Sequence, residues 1–430
     1  MAREIRIGQL GCGIVGSAVL RMLDAHAVDI EARVGATISP VKVAVRNLGK
    51  QRDVPPGTGG LLTTDAHEVV SHPDVDIVVE AMGGIEPARS LLLEAMRNGK
   101  HVVTANKELL ASLGQELFDA SDAAGVDLYF EAAVAGGIPL IHPLKESLAG
   151  ERIHKVMGIV NGTTNYILTR MAEDGMEFSE ALAEAERLGY AEEDPTADIE
   201  GFDAAAKTAI LASIVFNARV VGGDVYREGI ADITQQDIAF AQRLGYTVKL
   251  LAITEEQDGE IAARVHPAMI PNHHPLASVR ENLNAVFVEG ELVGELMFYG
   301  RGAGGGPTGT SVVGDIIDIS RNIMSGGRGV GCTCYTDKRV RPIESTYAQY
   351  YILLNVADEP GVLAAVATAF GDNNVSIKSV WQEGIGDEAQ LVMITHRGLE
   401  RDLQVTLQTL RNLRAVTKIA SVMRVEGGEA

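Results

Sequence analysis

Three cysteines in 430 residues exclude a disulfide-built secreted scaffold. Cys332 and Cys334 lie too close together for ordinary bridging or a zinc knuckle, and Cys12 stands alone. Positive charge is also scarce. Against 58 acidic residues there are 37 Lys and Arg, a net charge of −21, which argues against nucleic acid and anionic membranes as partners. No apolar run reaches the roughly 18 residues that span a bilayer, and the first residues carry no apolar signal core. A reducing cytoplasm fits these absences. What is present, 46% hydrophobic and 22% charged residues, is the balance of a soluble globular protein. The length predicts two or three domains.

Residues 3–9 alternate polar and apolar as a short strand, and a helical run occupies 17–23. Between them stands Gly11-Cys12-Gly13-Ile14-Val15-Gly16. Strand, glycine turn and helix in that order form the context of a dinucleotide fingerprint, in which the backbone approaches a pyrophosphate at the helix N-terminus. Gly11, Gly13, Ile14, Val15 and Gly16 are therefore expected cofactor contacts; a tight turn with no ligand is the alternative. Arg46 ends the next predicted strand, where an NAD site usually places an acid and an arginine accommodates a 2′-phosphate. Lys50 and Arg52 add charge nearby, so NADP is expected over NAD. Two further strand–helix units deliver Thr104 and Lys107 to the carboxyl edge of the sheet. A cation at a helix start is disfavoured by the dipole, which makes Lys107 a functional candidate.

The segment from Ala185 to Lys207 reads as a helix end, a stop at Gly189, an acidic loop and a new helix beginning near Gly201 or Phe202. Asp203 and Lys207 are four apart and share one helix face. Glu192, Asp194 and Asp198 lie in the loop that feeds it. One ammonium among carboxylates could hold a zwitterionic amino acid and move a proton; a surface ion pair worth about 0.3–0.5 kcal/mol would have the same spacing. Gly189-Tyr190-Ala191, Asp194-Pro195, Asp198-Ile199, Gly201, Asp203 and Lys207 closely resemble the diagnostic segment of homoserine dehydrogenases. That resemblance implies reversible reduction of L-aspartate 4-semialdehyde to L-homoserine. In its terms Lys207 is the proton donor and acceptor, and Glu192, Asp203 and less certainly Asp198 bind the substrate. Thr104, Lys107 and Gly189 would flank the cofactor, and Lys107 would also polarise the substrate. Ala197 stands where some relatives carry another acid.

The resemblance extends along the chain. Residues 127–132 form an expected strand that leads into Glu131-Ala132-Ala133-Val134-Ala135-Gly136-Gly137-Ile138. A carboxylate followed by carbonyls can bind a hard cation, and relatives hold a structural sodium through residues matching Glu131, Val134, Gly136 and Ile138. The turn at residues 161–165 implies Thr163 as a substrate contact. A second glycine loop, with Gly304, is expected to cover the cofactor. His266, His273 and His274 match no zinc spacing.

The last 80 or so residues (349–430) read as strand, helix, strand, strand (388–395), helix, strand. That is a ferredoxin-like order, and with Asp358-Glu359-Pro360-Gly361-Val362-Leu363 it resembles an ACT domain with L-threonine as the implied effector. The expected fold is therefore α/β. An N-terminal Rossmann-type nucleotide-binding domain spans 1–150, completed by a returning segment at 300–325. An α+β substrate and dimerisation domain spans 151–299, a linker 326–348, and a C-terminal βαββαβ ferredoxin-like ACT domain 349–430. A monofunctional enzyme forming a homodimer or homotetramer is expected. Another NADP oxidoreductase on the same fold, or a nucleotide-sensing regulator, are the rival classes; the Asp203/Lys207 segment argues against the first and retention of Lys107 and Lys207 against the second.

Overall fold

The computed structural model describes residues 3–384 and 389–428; Glu388, the expected start of one C-terminal strand, lies outside them. Strands β1 (Arg3–Leu10), β2 (Ala36–Ala44), β3 (Leu62–Thr63), β4 (Ile77–Glu80), β5 (His101–Thr104) and β6 (Leu128–Tyr129) form one parallel sheet, ordered β3-β2-β1-β4-β5-β6. This is the doubly wound nucleotide-binding order, with its switch point between β1 and β4. Ile5, Ile7 and Leu10 of β1 and Ile77, Val78 and Val79 of β4 are all buried, as a sheet covered on both faces requires. The helix Gly305–Ser325 returns to pack on the helix Ile14–Ala25. A Cβ on Gly309 would lie 3.2 Å from Ala18, and Val312, Val313, Ile316 and Ile319 share a core with Ile5, Ile7 and Val19. The strand expected over 127–132 is shorter than its apolar pattern. It ends at Tyr129 because the Asp315 carboxylate takes the Glu131 N–H at 2.9 Å, and Glu131 begins a 3₁₀ turn.

The middle of the chain builds an antiparallel sheet from β7 (Ile153–Ile159), β9 (Tyr246–Gln257), β10 (Glu260–Pro271), β11 (Leu283–Gly290) and β12 (Gly294–Arg301), ordered β12-β11-β7-β9-β10; the short β8 (Tyr226–Arg227) pairs with β10. The expected turn at 161–165 is instead the first turn of the helix Gly162–Asp174, capped by the Asn161 side chain, which accepts the Thr164 N–H.

The C-terminal strands β13 (Tyr347–Val356), β14 (Ile377–Glu383), β15 (Gln390–Thr395), β16 (Gly398–Leu399) and β17 (Val416–Val425), with helices Val362–Asp372 and Glu400–Arg411, give the βαββαβ order in a sheet β17-β13-β15-β14. Alternation along β13 splits its side chains between two cores. Tyr350, Ile352, Leu354 and Val356 face the unit's own helices, while Tyr351 and Leu353 join the core of the rest of the molecule.

β17 also pairs with β10, so the two sheets run on as one. Charged groups are buried along this seam. Arg424 donates to Glu228 at 2.8 Å and to Glu400 at 3.0 Å, and Arg264 bridges Glu255 at 2.8 Å and Glu426 at 3.0 Å. Lys155 reaches Glu426 at 3.4 Å. Burial opposes charge on Glu426, but Arg264 and then Lys155 outweigh it and hold the carboxyl well below its usual range. Among the described residues, no helix is long and apolar enough to cross a membrane.

Candidate active site

The two glycine loops differ in what their missing side chains permit. Gly11 has φ +94°, and a Cβ there would lie 2.7 Å from the Ala81 carbonyl; a Cβ on Gly16 would collide with the Gly11 carbonyl. Gly13, the residue before the helix Ile14–Ala25, has open space on that side. The helix N-terminus is therefore unobstructed, with exposed Gly13 and Ile14 and half-buried Val15 at its mouth, and a pyrophosphate fits it. A Cβ on Gly305 would lie 2.8 Å from Ile14, so the second loop closes against the first. The segment from Val134 to Ile138 is its floor. Gly136 backs directly onto Gly302, and its carbonyl accepts the Ser311 hydroxyl at 2.7 Å.

A cleft of about 1470 Å³ opens beside these loops. Lys107, Thr163, Gly189, Glu192, Asp198, Asp203, Lys207 and Gly304 all line it. Its centre is Asp203, on the first turn of the helix Phe202–Val215. One carboxylate oxygen pairs with Lys107, and the other accepts Lys207 Nζ at 2.7 Å. Lys207 also donates to the Val160 carbonyl at 2.7 Å. Burial disfavours charge on Asp203, yet Lys207 and Lys107 together hold its carboxyl far below the usual range. For Lys207 the balance reverses. Burial, assisted by Lys107, lowers its ammonium below the ordinary lysine value despite the pull of Asp203. Asp198 is raised, first by burial and then by the Asp203 charge. Lys107 is raised: partial burial opposes its charge, but Asp203 prevails. A lysine whose ammonium is lowered from its ordinary value and held beside a carboxylate is suited to giving and taking a proton.

Not every expected residue faces the cleft. Thr104 is fully buried; its hydroxyl donates to Glu80 at 2.5 Å and accepts the Asn106 N–H at 3.1 Å. As the last residue of β5 beside β4, it supports the turn that presents Lys107. The Thr163 hydroxyl donates to the Tyr190 carbonyl at 2.7 Å and so pins the acidic loop. The Glu131 carboxylate accepts the N–H groups of Leu140, Ile141 and His142. Glu131, His142 and Asp315 do bring ligand-type atoms within 4.8 Å of one another. The bond to Glu131, with the charges of Glu146 and Asp318, raises His142 to about 9, so its imidazolium is itself a cation in that cluster. Arg46 lies exposed just beyond β2, outside the cleft lining. Two cleft residues escaped the sequence reading. Arg227 stacks 3.4 Å over the Phe202 ring, and Asn161 bonds both Asp198 and Asp203.

Family models described as "Homoserine dehydrogenase", "Homoserine dehydrogenase, NAD binding domain" and "ACT domain" match residues 139–317, 11–131 and 350–415. The homoserine dehydrogenase of Mycobacterium tuberculosis is 49% identical, covering 99% of this chain and 98% of the relative. The chain belongs to the homoserine dehydrogenase family. The crystal structure of a homoserine dehydrogenase from Thiobacillus denitrificans superposes with TM-score 0.95 at 41% identity, over 99% of this chain and 100% of the other. A hyperthermophilic archaeal homoserine dehydrogenase mutant in complex with NADPH has TM-score 0.63 at 27% identity, over 74% of this chain and 98% of that one. The chain is thus an oxidoreductase with a nicotinamide-binding domain, a homoserine dehydrogenase catalytic domain and an ACT domain.

Proposed function

We propose that the cleft interconverts L-homoserine and L-aspartate 4-semialdehyde with NADP(H), using Lys207 as the proton donor and acceptor. The observation that carries this reading is the Lys207–Asp203–Lys107 array, with Lys207 and Asp203 buried, in the cleft that the second glycine loop also lines. Bound nicotinamide would supply or accept the hydride. In the reducing direction Lys207 gives its proton to the aldehyde oxygen, and Lys107 stabilises the charge that gathers there. In the oxidising direction Lys207 takes the hydroxyl proton. Asp203 is the shared counter-ion of both lysines and, with Glu192 and Asp198, binds the substrate ammonium. The Val160 carbonyl fixes Lys207 Nζ. L-homoserine-dependent reduction of NADP, followed by the reduced-nicotinamide absorbance, tests the reading; a full-length protein with no homoserine-dependent rate would refute it.

NADP is favoured by the exposed Arg46 beyond β2 and by the NADPH named for the archaeal relative. Arg46→Ala is expected to weaken NADPH binding by about 1.5–3 kcal/mol, the worth of a charge-assisted hydrogen bond, with NADH binding unchanged. Equal losses for both cofactors in a fluorescence titration would count against that assignment. A monovalent cation, sodium in this reading, would be held by Glu131, Val134, Gly136 and Ile138 beneath the second glycine loop.

L-threonine is the proposed ACT ligand. Gly361, at φ +91°, precedes the helix Val362–Asp372, whose N-terminal amides suit a carboxylate. Threonine is expected to lower the rate by binding one conformational state better than the other. Calorimetry that detects no threonine binding would remove the effector. Assembly is proposed to use the β12 edge, where Tyr299 on the strand and Leu292 in the turn before it are exposed and unpaired backbone invites a partner. A homodimer or homotetramer in the cytoplasm is the resulting picture, and light scattering reads the mass.

A further inference from the structure

Asn161 stands where β7 hands over to the helix Gly162–Asp174, and its side chain bonds in three directions. Oδ1 accepts the Thr164 N–H at 2.9 Å and the Thr164 hydroxyl at 3.0 Å. Nδ2 donates to Asp198 Oδ1 at 2.6 Å and to Asp203 Oδ2 at 2.8 Å. An amide nitrogen carries two hydrogens, so each carboxylate receives one. The Asp203 oxygen it meets also accepts Lys207, and the preceding residue, Val160, accepts the same ammonium on its carbonyl. Two consecutive residues at the end of one strand therefore hold the lysine and both acids.

Helix capping does not explain this arrangement. A cap needs only the side-chain oxygen, and Asp or Ser serves as well as Asn. The donor end of Asn161 is what separates the buried Asp203 and half-buried Asp198 carboxylates, which would otherwise face each other as like charges. We propose that Asn161 is a positioning residue of the reaction, whose amide bridges Asp198 and Asp203 and fixes the Asp203 oxygen against Lys207. The proposal rests on the reading of Lys207 as proton donor and acceptor.

The charged groups around Asn161 come from every side. Asp198 belongs to the short helix Thr196–Ile199, and Asp203 and Lys207 to the helix Phe202–Val215. Lys107 begins the helix Lys107–Ala124, and Glu192 lies in the acidic loop. Replacing the amide by a carboxylate adds negative charge beside Lys207 and favours its ammonium form. Homoserine oxidation, which needs the neutral amine, should then begin at higher pH.

The test compares Asn161→Asp and Asn161→Ser, both of which keep a capping oxygen. Rates of L-homoserine oxidation are measured against pH, and NADPH affinity by fluorescence titration. Asn161→Asp is expected to lose roughly 10-fold to 100-fold in kcat, the scale of a misplaced catalytic group, with its profile moved to higher pH and NADPH affinity unchanged. Asn161→Ser, which retains one donor, is expected to fall between it and the unmodified enzyme. Wild-type kcat and profile in Asn161→Asp would reduce Asn161 to a helix cap and overturn the proposal. Should that variant not fold, wild-type kinetics in Asn161→Ser would overturn it equally. Lys207→Ala is run in parallel: a pH limb that survives there removes the Lys207 reading, and this proposal with it, whatever the Asn161 variants do.

Discussion

Lys207→Ala is expected to lose about 10²–10⁴-fold in turnover, the usual worth of a positioned general acid or base, while NADPH affinity stays unchanged. The geometry makes the loss specific. Nζ is fixed between Asp203 Oδ2 and the Val160 carbonyl, each at 2.7 Å, whereas the ammonium of Lys107 is held on the other oxygen of Asp203. The variant should also fold. Asp203 keeps Lys107 on its other oxygen and Asn161 at 2.8 Å, so the buried carboxylate is not left without partners, the condition that makes charge deletion severe. A variant with near-wild-type turnover would return Lys207 to the status of an ion-pair partner.

Glu426→Gln is the substitution expected to cost most in stability, about 3–5 kcal/mol, because it removes one member of a buried charge network, taking the ion pair from Lys155 and leaving Arg264 with Glu255 alone. Glu426 is 7% exposed and faces Arg264 at 3.0 Å and Lys155 at 3.4 Å. Gln keeps the shape and one acceptor but not the charge. The sign with pH follows from the lowered carboxyl. A group depressed in the folded state stabilises fully above its unfolded value, near 4.3, and that contribution fades as pH falls toward the folded value. The difference between wild type and Glu426→Gln should therefore be full at neutral pH and shrink in acid. Denaturant melts at both pH values measure it. A difference that is absent at neutral pH, or that grows in acid, would show that the β10–β17 seam does not depend on this charge.

Local order made much of this legible in the sequence. The strand, glycine turn and helix at the N-terminus depend on residues within two dozen positions, and the structure places them as the spacing requires. The βαββαβ order and the Asp203/Lys207 pair are local in the same sense. What escaped is set by contacts between distant segments. Nothing near Asn161 announces that its amide will meet acids on two other helices. The union of β17 with β10 is invisible to any window, although it puts Glu426 beside Arg264. β9 is hidden from the sequence for a different reason. Its residues from Val248 to Thr254 are all buried, so the alternation that marks a half-exposed strand is absent, and Lys249 is held inside by Asn165 and the Val279 carbonyl. The pattern fixes the end of β5 but not which way the Thr104 hydroxyl turns; Glu80 on the adjacent strand decides that.

The most direct test of the account is a pair of rate–pH profiles on the full-length enzyme, one for L-homoserine oxidation and one for L-aspartate 4-semialdehyde reduction. Oxidation needs neutral Lys207 and reduction needs its ammonium, so the first should rise and the second fall with pH. Both should turn about one value, below the roughly 10.4 of free lysine, since burial lowers Lys207. The account predicts these opposed limbs in the wild type and their disappearance in Lys207→Ala. Profiles that run parallel, or limbs that persist without Lys207, would contradict it.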